Sequence, residues 1–504
     1  MYSGRGFRDW EIGDIDIIKH GGIYHLFHLV LPNHDYIAHA ISSDCINWTR
    51  VKNALFVGDP GEWDDDMLWT MNVCHTEGEG GGFEMFYTGL SQREHGYYQR
   101  IGRATSPNLY DWEKDSSPPY PIESAGPHYE SPDDNARQWV SFRDPYHYKA
   151  ADGSRYLLVC ARTNIGAISR RGCVGVIALE GERAALEEPL FVPRVYDDVE
   201  CPAIVEMDGA FYLIGSIRED VRVHYWRADR FRGEYISFPD NLLLPQGNYA
   251  ARVSRDGDKI LLYSFFVAGR DVQNGHRYFC PPKELRADDS GHLLTISLSQ
   301  WADKIVKQLG LADLPKVNRV LGNPAAAVRR NQSSLRLTSR TGYEIAALKN
   351  PFANFIWRGR LVVHQLGKIG LVFNTDKAGD GYYISIEPLR SLVQIRAWAS
   401  CPDDIHKDYQ YETLQAHSIP DKCAEGLHFE LLCYGHYIEF SVNGIVRLSL
   451  VDAKFSSGAI GLFCDSASIE LTDFELLSLD HSEEDELSQQ FDATAGEWLG
   501  DGAS

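Results

Sequence analysis

A β-hairpin signal that returns five times constrains this chain more than any other feature. Ile23–Leu29 follows Gly21-Gly22, and Phe83–Gly89 follows Gly80-Gly81-Gly82. Arg155–Cys160 follows Asp152-Gly153, Ala210–Ser216 follows Asp208-Gly209, and Lys259–Ser264 follows Asp256-Gly257-Asp258. Each turn sequence opens a run of β-branched and aromatic residues, which is what a half-buried strand requires. The runs recur at roughly 45 to 70 residues, the size of a four-stranded propeller blade. A polar turn closing on a Trp also recurs, at Ser43–Trp48 and Ser106–Trp112. A sandwich would give many short strands but not this longer period, so five radial blades are expected.

Beyond about Leu298 the pattern changes. Ser299–Leu309 has apolar residues at helical spacing and predicts a short connecting helix. From about 325 to 478 alternation with period two returns, with an Asn443-Gly444 hairpin between two strands. The expected class is all-β: a five-bladed β-propeller at 1–297, a linker with a short helix at 298–324, and a β-sandwich at 325–480. The stretch 481–504 holds seven acids and no Lys or Arg, and is expected to be a disordered acidic tail.

Charge narrows the function. Lys+Arg 49 against Asp+Glu 71 gives −22, which repels phosphate backbones and excludes nucleic acid as a partner. No segment approaches the ~20 apolar residues of a membrane span, so no membrane partner is expected. The N-terminus carries no secretion signal and the ten Cys form no CxxC pair, which predicts a cytoplasmic protein with reduced thiols. His and Cys spacing gives no metal site, and no cofactor is expected.

The acids carry the chemistry. Asp14, Asp144 and Glu200 precede the turns of the first, third and fourth hairpins by 7, 9 and 9 residues, counted to Gly21, Gly153 and Gly209. In a propeller the first strand of each blade lines the central channel, so acids placed alike in different blades converge at its mouth. Paired carboxyl groups across a glycosidic bond are what its cleavage needs. Asp16 competes with Asp14, since alternation puts both on one strand face. Trp69 and Tyr249 are candidate stacking platforms for a sugar ring, and His28 could line the pocket. Asp64, Asp65 and Asp66 are expected in a solvated loop at the channel mouth, where a Ca²⁺ or sugar contact is the sharper alternative. Cys201 reads as a small packed residue rather than a nucleophile.

Arg143-Asp144-Pro145 followed by Glu200-Cys201-Pro202 resembles the two signature motifs of glycoside hydrolase family 32, the β-fructosidases. Tyr24–Phe27, Phe86–Gly89, Pro282–Leu285 and Ile438–Gly444 are similar to further family segments, so the resemblance runs from about 10 to 475. It implies Asp14 as nucleophile, Asp144 as the residue that holds sugar hydroxyls, and Glu200 as acid/base with a raised pKa. Arg143 would keep Asp144 ionised and oriented. The chain departs from the family around the nucleophile, with Gly13-Asp14-Ile15 for Asn-Asp-Pro, and at Met71-Asn72, which stand where the family has Gly-Ser. Asn72 is therefore a candidate substrate contact.

The implied activity is retaining hydrolysis of terminal β-fructofuranosides, with a sugar as the binding partner. Alternatives are an arabinofuranosidase-like enzyme or a fructosyltransferase on the same scaffold, and a non-catalytic carbohydrate-binding propeller. A homo-oligomer built through the sandwich is a further expectation.

Overall fold

The computed structural model describes residues 2–3, 11–76, 81–134, 137–181, 183–267, 277–314, 316–400, 409–419 and 426–481. The acidic tail from 482 lies outside them. Two compact units emerge among these residues, one formed by those up to 243 with 247–294, the other by 295–481 with the short piece 244–246. No helix among the described residues is long and apolar enough to cross a membrane.

The first unit is a five-bladed propeller. Five separate antiparallel sheets of four or five strands follow one another along the chain. Their innermost strands are Glu11–His20, Met67–His75, Phe142–Lys149, Glu200–Met207 and Asn248–Asp256. Each contacts the next, and the fifth contacts the first, so they close a ring around the channel. The expected Gly turns join first to second strands, with positive φ at Gly21, Gly153, Gly209 and Gly257.

The core lies between the blades. Ile15 and Ile17 pack with Leu26, Leu261 and Tyr263 between blades one and five. Phe27, Met71, Val73 and Met85 fill the space between blades one and two. Leu158, Val174, Ile204 and Leu213 do the same for blades three and four. Burying apolar side chains on both faces of a sheet is why these strands carry runs such as Leu-Leu-Val-Cys rather than strict alternation. The ring is fastened where it closes. Lys19 donates to Asp256 at 2.5 Å, Tyr24 donates to the same carboxylate, and the Phe279 N–H donates to the Tyr2 carbonyl at 2.8 Å.

The repeated polar turn is real, and its first copy begins one residue earlier than the sequence suggests, at Ser42. Ser42 Oγ accepts the N–H groups of Asp44 and Cys45, and Asp44 accepts those of Ile46 and Asn47. In blade two, Ser106 and Asn108 take the same parts toward Asn108, Leu109, Tyr110 and Asp111. Cys45 and Leu109 both have positive φ. Side-chain oxygens here replace the backbone partners that a tight turn leaves unpaired.

All five inner strands carry a β-bulge at the same end. Ile12 faces Val30 while Ile15 faces His28, so three steps on the inner strand span two on its partner. The same extra residue lies between Arg143 and Tyr146, Glu200 and Ala203, and Tyr249 and Arg252, and between Trp69 and Met71. Asp144, Cys201 and Ala250 sit in these bulges with φ of 60°, 47° and 50°. Bulges re-aim side chains, and non-Gly residues at positive φ persist only where surrounding contacts hold them.

The second unit is a sandwich of an eight-stranded and a seven-stranded antiparallel sheet. Asn443 and Gly444, at φ 52° and 81°, form the expected two-residue hairpin between paired Val442 and Ile445. The predicted helix is half helix and half strand. Only Ser299–Lys304 is helical, as a 3-10 turn, while Ile305–Gly310 pairs with the final strand Ser468–Leu479. Ile305 and Val306 are β-branched, and a free edge of the long last strand offers them a full set of backbone partners.

Candidate active site

The bulges gather Asp14, Asp144 and Glu200 at one end of the channel. Asp14 is half-buried, and its Oδ2 accepts from the Thr70 hydroxyl of blade two and lies 3.7 Å from Cys201 Sγ of blade four. Asp144 is buried and accepts the Cys201 backbone N–H at 2.9 Å, while its own N–H donates to Thr88 Oγ1 at 3.1 Å. The ligating atoms of Asp14, Asp144 and Cys201 all fall within 4.8 Å of one another. Glu200 joins them through Arg143, whose Nη2 donates to Glu200 Oε1 at 2.6 Å and whose Nε lies 3.6 Å from Asp144 Oδ2.

Arg143 is itself held rigidly. It is buried, bonded to Ser141 Oγ at 2.8 Å and paired with Asp198 at 3.0 Å. Asp198 also pairs with Arg162 at 2.9 Å. Two buried arginines thus share Asp198, and Arg143 has charge left to spend on the acids at the mouth.

Ionisation departs from expectation at Glu200. Burial pushes its pKa up, but Arg143 and then Arg218, with the Tyr249 hydroxyl and the Arg218 hydrogen bond adding, hold it down to about 2. Arg218 was not legible as a site residue; it follows the second strand of blade four, and its guanidinium bonds Glu200 while remaining 62% exposed. The free protein therefore holds Glu200 as a carboxylate, not as the acid that the sequence predicted. Asp144 behaves the opposite way. Burial, with Asp14 and Glu200 adding, pushes it up against the pull of Arg143, so the adjacent arginine does not keep it in the ordinary ionised range.

Asp14 and Asp16 separate clearly. Both turn toward blade two, as alternation requires. Asp16 lies deeper, fully buried, accepting from Asn72 Nδ2 at 3.1 Å and the Val73 N–H at 2.6 Å, and burial pushes its pKa to about 6. Asp14 is the carboxylate that a ligand can reach.

Several predicted contacts are committed elsewhere. Asn72 spends its amide on Asp16 and its carbonyl on the His147 N–H at 2.8 Å, so it ties three blades together and is buried. His28 is buried, with one ring nitrogen 2.8 Å from the Tyr2 hydroxyl and the other 2.8 Å from the Leu29 carbonyl, and burial lowers its pKa to about 3. It is a packed residue of blade one, not a pocket wall. Tyr249 donates its hydroxyl to Glu200 Oε2, so its role is polar rather than that of a stacking platform. Trp69 is half-buried against the core between blades one and two, 6.2 Å from the His34 ring, and its buried Nε1 has no hydrogen-bond partner.

The acidic run is not a solvated loop. Asp64 is buried, taking the Tyr87 hydroxyl at 2.9 Å and Lys114 Nζ at 2.6 Å. Asp65 accepts the N–H groups of Gly61 and Gln92. Both acids tie loop to blade, which explains their clustering without a bound cation.

Cys201 acts through its backbone and its proton. Burial, then Asp14 and Asp144, push the thiol well above its ordinary range, so it stays S–H and faces Asp14 as a weak donor.

With the geometry in place, comparison with known proteins is informative. Residues 14–174, which include Arg143-Asp144-Pro145, match the family described as Glycosyl hydrolases family 32 N-terminal domain, as the resemblance in the sequence implied. A comparison with curated protein sequences finds no match. Among solved structures, the exo-inulinase of Aspergillus awamori is similar at a TM-score of 0.67 and 12% identity, over 93% of this chain and 96% of that one. Fructan 1-exohydrolase IIa of Cichorium intybus gives 0.65 at 15% identity, over 94% and 95%. A β-fructofuranosidase of Bombyx mori gives 0.63 at 16%, over 93% and 91%. These likenesses establish the propeller-plus-sandwich fold along nearly the whole chain.

Proposed function

We propose that this chain, whose residues 14–174 match the glycoside hydrolase family 32 N-terminal domain, hydrolyses terminal β-fructofuranosides with retention. The observation that carries the reading is the meeting of Asp14, Asp144 and Glu200 from three blades at one channel mouth, joined through Cys201 and Arg143. The neighbouring folds include an exo-inulinase and a β-fructofuranosidase, which points to the same substrate class.

In this mechanism Asp14 attacks the anomeric carbon of the fructosyl unit and forms an ester to it. Glu200 protonates the departing glycosidic oxygen, then takes a proton from the water that cleaves the ester. Asp144 receives hydroxyls of the same sugar, a task that suits a carboxyl held by the Cys201 N–H. Asp14 fits nucleophilic attack because it is the accessible carboxylate and Thr70 fixes its orientation.

Glu200 must acquire a proton that it does not hold in the free protein. Of its three partners Arg218 is the mostly exposed one, so an incoming sugar can displace it while buried Arg143 and half-buried Tyr249 stay in place. Losing that cation and the water around it raises the carboxyl pKa toward the working range.

The test is a panel of sucrose, inulin, levan and aryl furanosides with wild type and Glu200→Ala, reading the first-formed anomer by NMR. Retention with fructosides, lost in the variant, is the expected result. Inversion on an arabinofuranoside would replace this reading with the arabinosidase one. No difference from blank on any furanoside would end it.

A further inference from the structure

Below the acids lies a polar layer that touches every blade, and Arg252 is its centre. Arg252 belongs to the inner strand of blade five, is the first paired residue after the bulge, and is 1% exposed. Its Nη1 donates to the Pro202 carbonyl of blade four at 2.8 Å, and its Nη2 reaches the Pro145 carbonyl of blade three at 3.4 Å. Its Nε lies 4.0 Å from Asp16 Oδ1 of blade one and has no hydrogen-bond partner. Asp16 in turn accepts from Asn72 and Val73 of blade two. The face of the guanidinium lies 5.7 Å from the Tyr146 ring centroid.

The two carbonyls are unusual ones. Pro145 and Pro202 each follow the bulge residue of positive φ, Asp144 and Cys201 respectively. Both prolines lie between the paired residues that flank the bulge, outside the ladder register, so their carbonyls need a partner inside the protein. Arg252 supplies that partner to both bulges with one planar fork. The backbone strain at Asp144 and Cys201 is thus opposed by a single side chain that forms no hydrogen bond or ion pair with Asp14, Asp144 or Glu200.

We infer that Arg252 is a positioning residue, which fixes the Asp144 and Glu200 carboxylates by clamping the Pro145 and Pro202 carbonyls of their bulges. A lysine at this place keeps the charge facing Asp16 but is a point donor, unable to hold both carbonyls in one plane.

The inference builds on the role given above to the acids, so its experiment separates the two. Arg252→Lys is compared with wild type in a crystal structure and in steady-state kinetics on the best fructoside. The carboxylates of Asp144 and Glu200 are expected to move by more than about 0.5 Å, the tolerance of a working site. The same variant is expected to lose roughly 100-fold in kcat with KM within about threefold, since a small misplacement costs on that scale. A merely structural arginine would lower the thermal midpoint and leave kcat per folded site and the carboxylate positions unchanged; that result overturns the inference. If wild type turns over no furanoside, the functional reading fails, and the carboxylate positions alone decide this one. If Arg252→Lys does not fold, Asp16→Asn, which loosens the same layer from blade one, must displace the Pro145 and Pro202 peptides, and unmoved peptides again overturn it.

Discussion

Asp144 lies within the bulge of its blade and Glu200 just before that of the next, both are buried, and both sit against the same arginine, yet they ionise in opposite directions. Both lose hydration, which favours the neutral form. Asp144 has Arg143 only at 3.6 Å and faces the charges of Asp14 and Glu200. Glu200 receives Arg143 at 2.6 Å, a second guanidinium from Arg218 and a phenol from Tyr249. The lesson is that burial alone does not set which of two carboxyls carries the proton; the number of donors aimed at each does.

The strongest way to break the comparison is to remove the charge that helps lift Asp144. Asp14→Asn is expected to lower kcat by about 10⁴-fold, the scale on which a covalent nucleophile is lost. Rapid-quench detection of a fructosyl-enzyme ester checks it, since the variant should accumulate none.

Glu200→Gln comes next, with a loss of about 10³-fold on sucrose. On an aryl furanoside, whose leaving group needs little protonation, the loss in the bond-breaking step should be much smaller. Equal losses on both substrates would assign the proton to the other carboxyl, Asp144.

Arg218→Gln sharpens the contrast with a smaller effect. Removing one of the two cations raises the pKa of Glu200, so more of it is protonated at a given pH. The alkaline limb of kcat/KM should therefore move to higher pH. An unmoved limb would show that Arg218 does not hold Glu200 in the working complex. The same contact has a stability sign. A folded value of about 2, below the unfolded ~4.3, adds stability above pH ~4.3 that is lost as pH falls toward 2.

The smallest effect belongs to a buried group that avoids charge altogether. His28 stays neutral in the fold down to about pH 3 while an unfolded imidazole protonates near 6.5, so its contribution is lost as pH falls below 6.5. His28→Gln should make the fall in stability between pH 6 and 4 shallower by about 1.4 kcal/mol per pH unit, read from urea unfolding at several pH values.

Much of this was legible in the sequence because it is periodic or local. Gly turns before apolar runs mark the five blades, and Asn443-Gly444 marks its hairpin. Similar spacing from Asp14, Asp144 and Glu200 to their turns, 7, 9 and 9 residues, places them on inner strands. What could not be read depends on partners far away in the chain. Arg218 and Arg252 carry no motif, and their importance lies only in whom they reach. His28 and Asn72 look like pocket residues on a strand diagram, but a propeller strand is buried on both faces, so facing inward does not mean facing the ligand. Ile305–Gly310 fits a helix by spacing and becomes a strand because a distant edge was open.

The extra residue in each inner strand has a consequence for anyone who would edit this protein. Side chains on a strand repeat every two positions, so inserting one residue reverses their parity beyond that point. Each inner strand is in effect two half-strands written in opposite phase, one on either side of its bulge. Deleting a single residue at a bulge would bring the halves into phase and turn rim acids into the interior. Length, there, is a stricter requirement than identity.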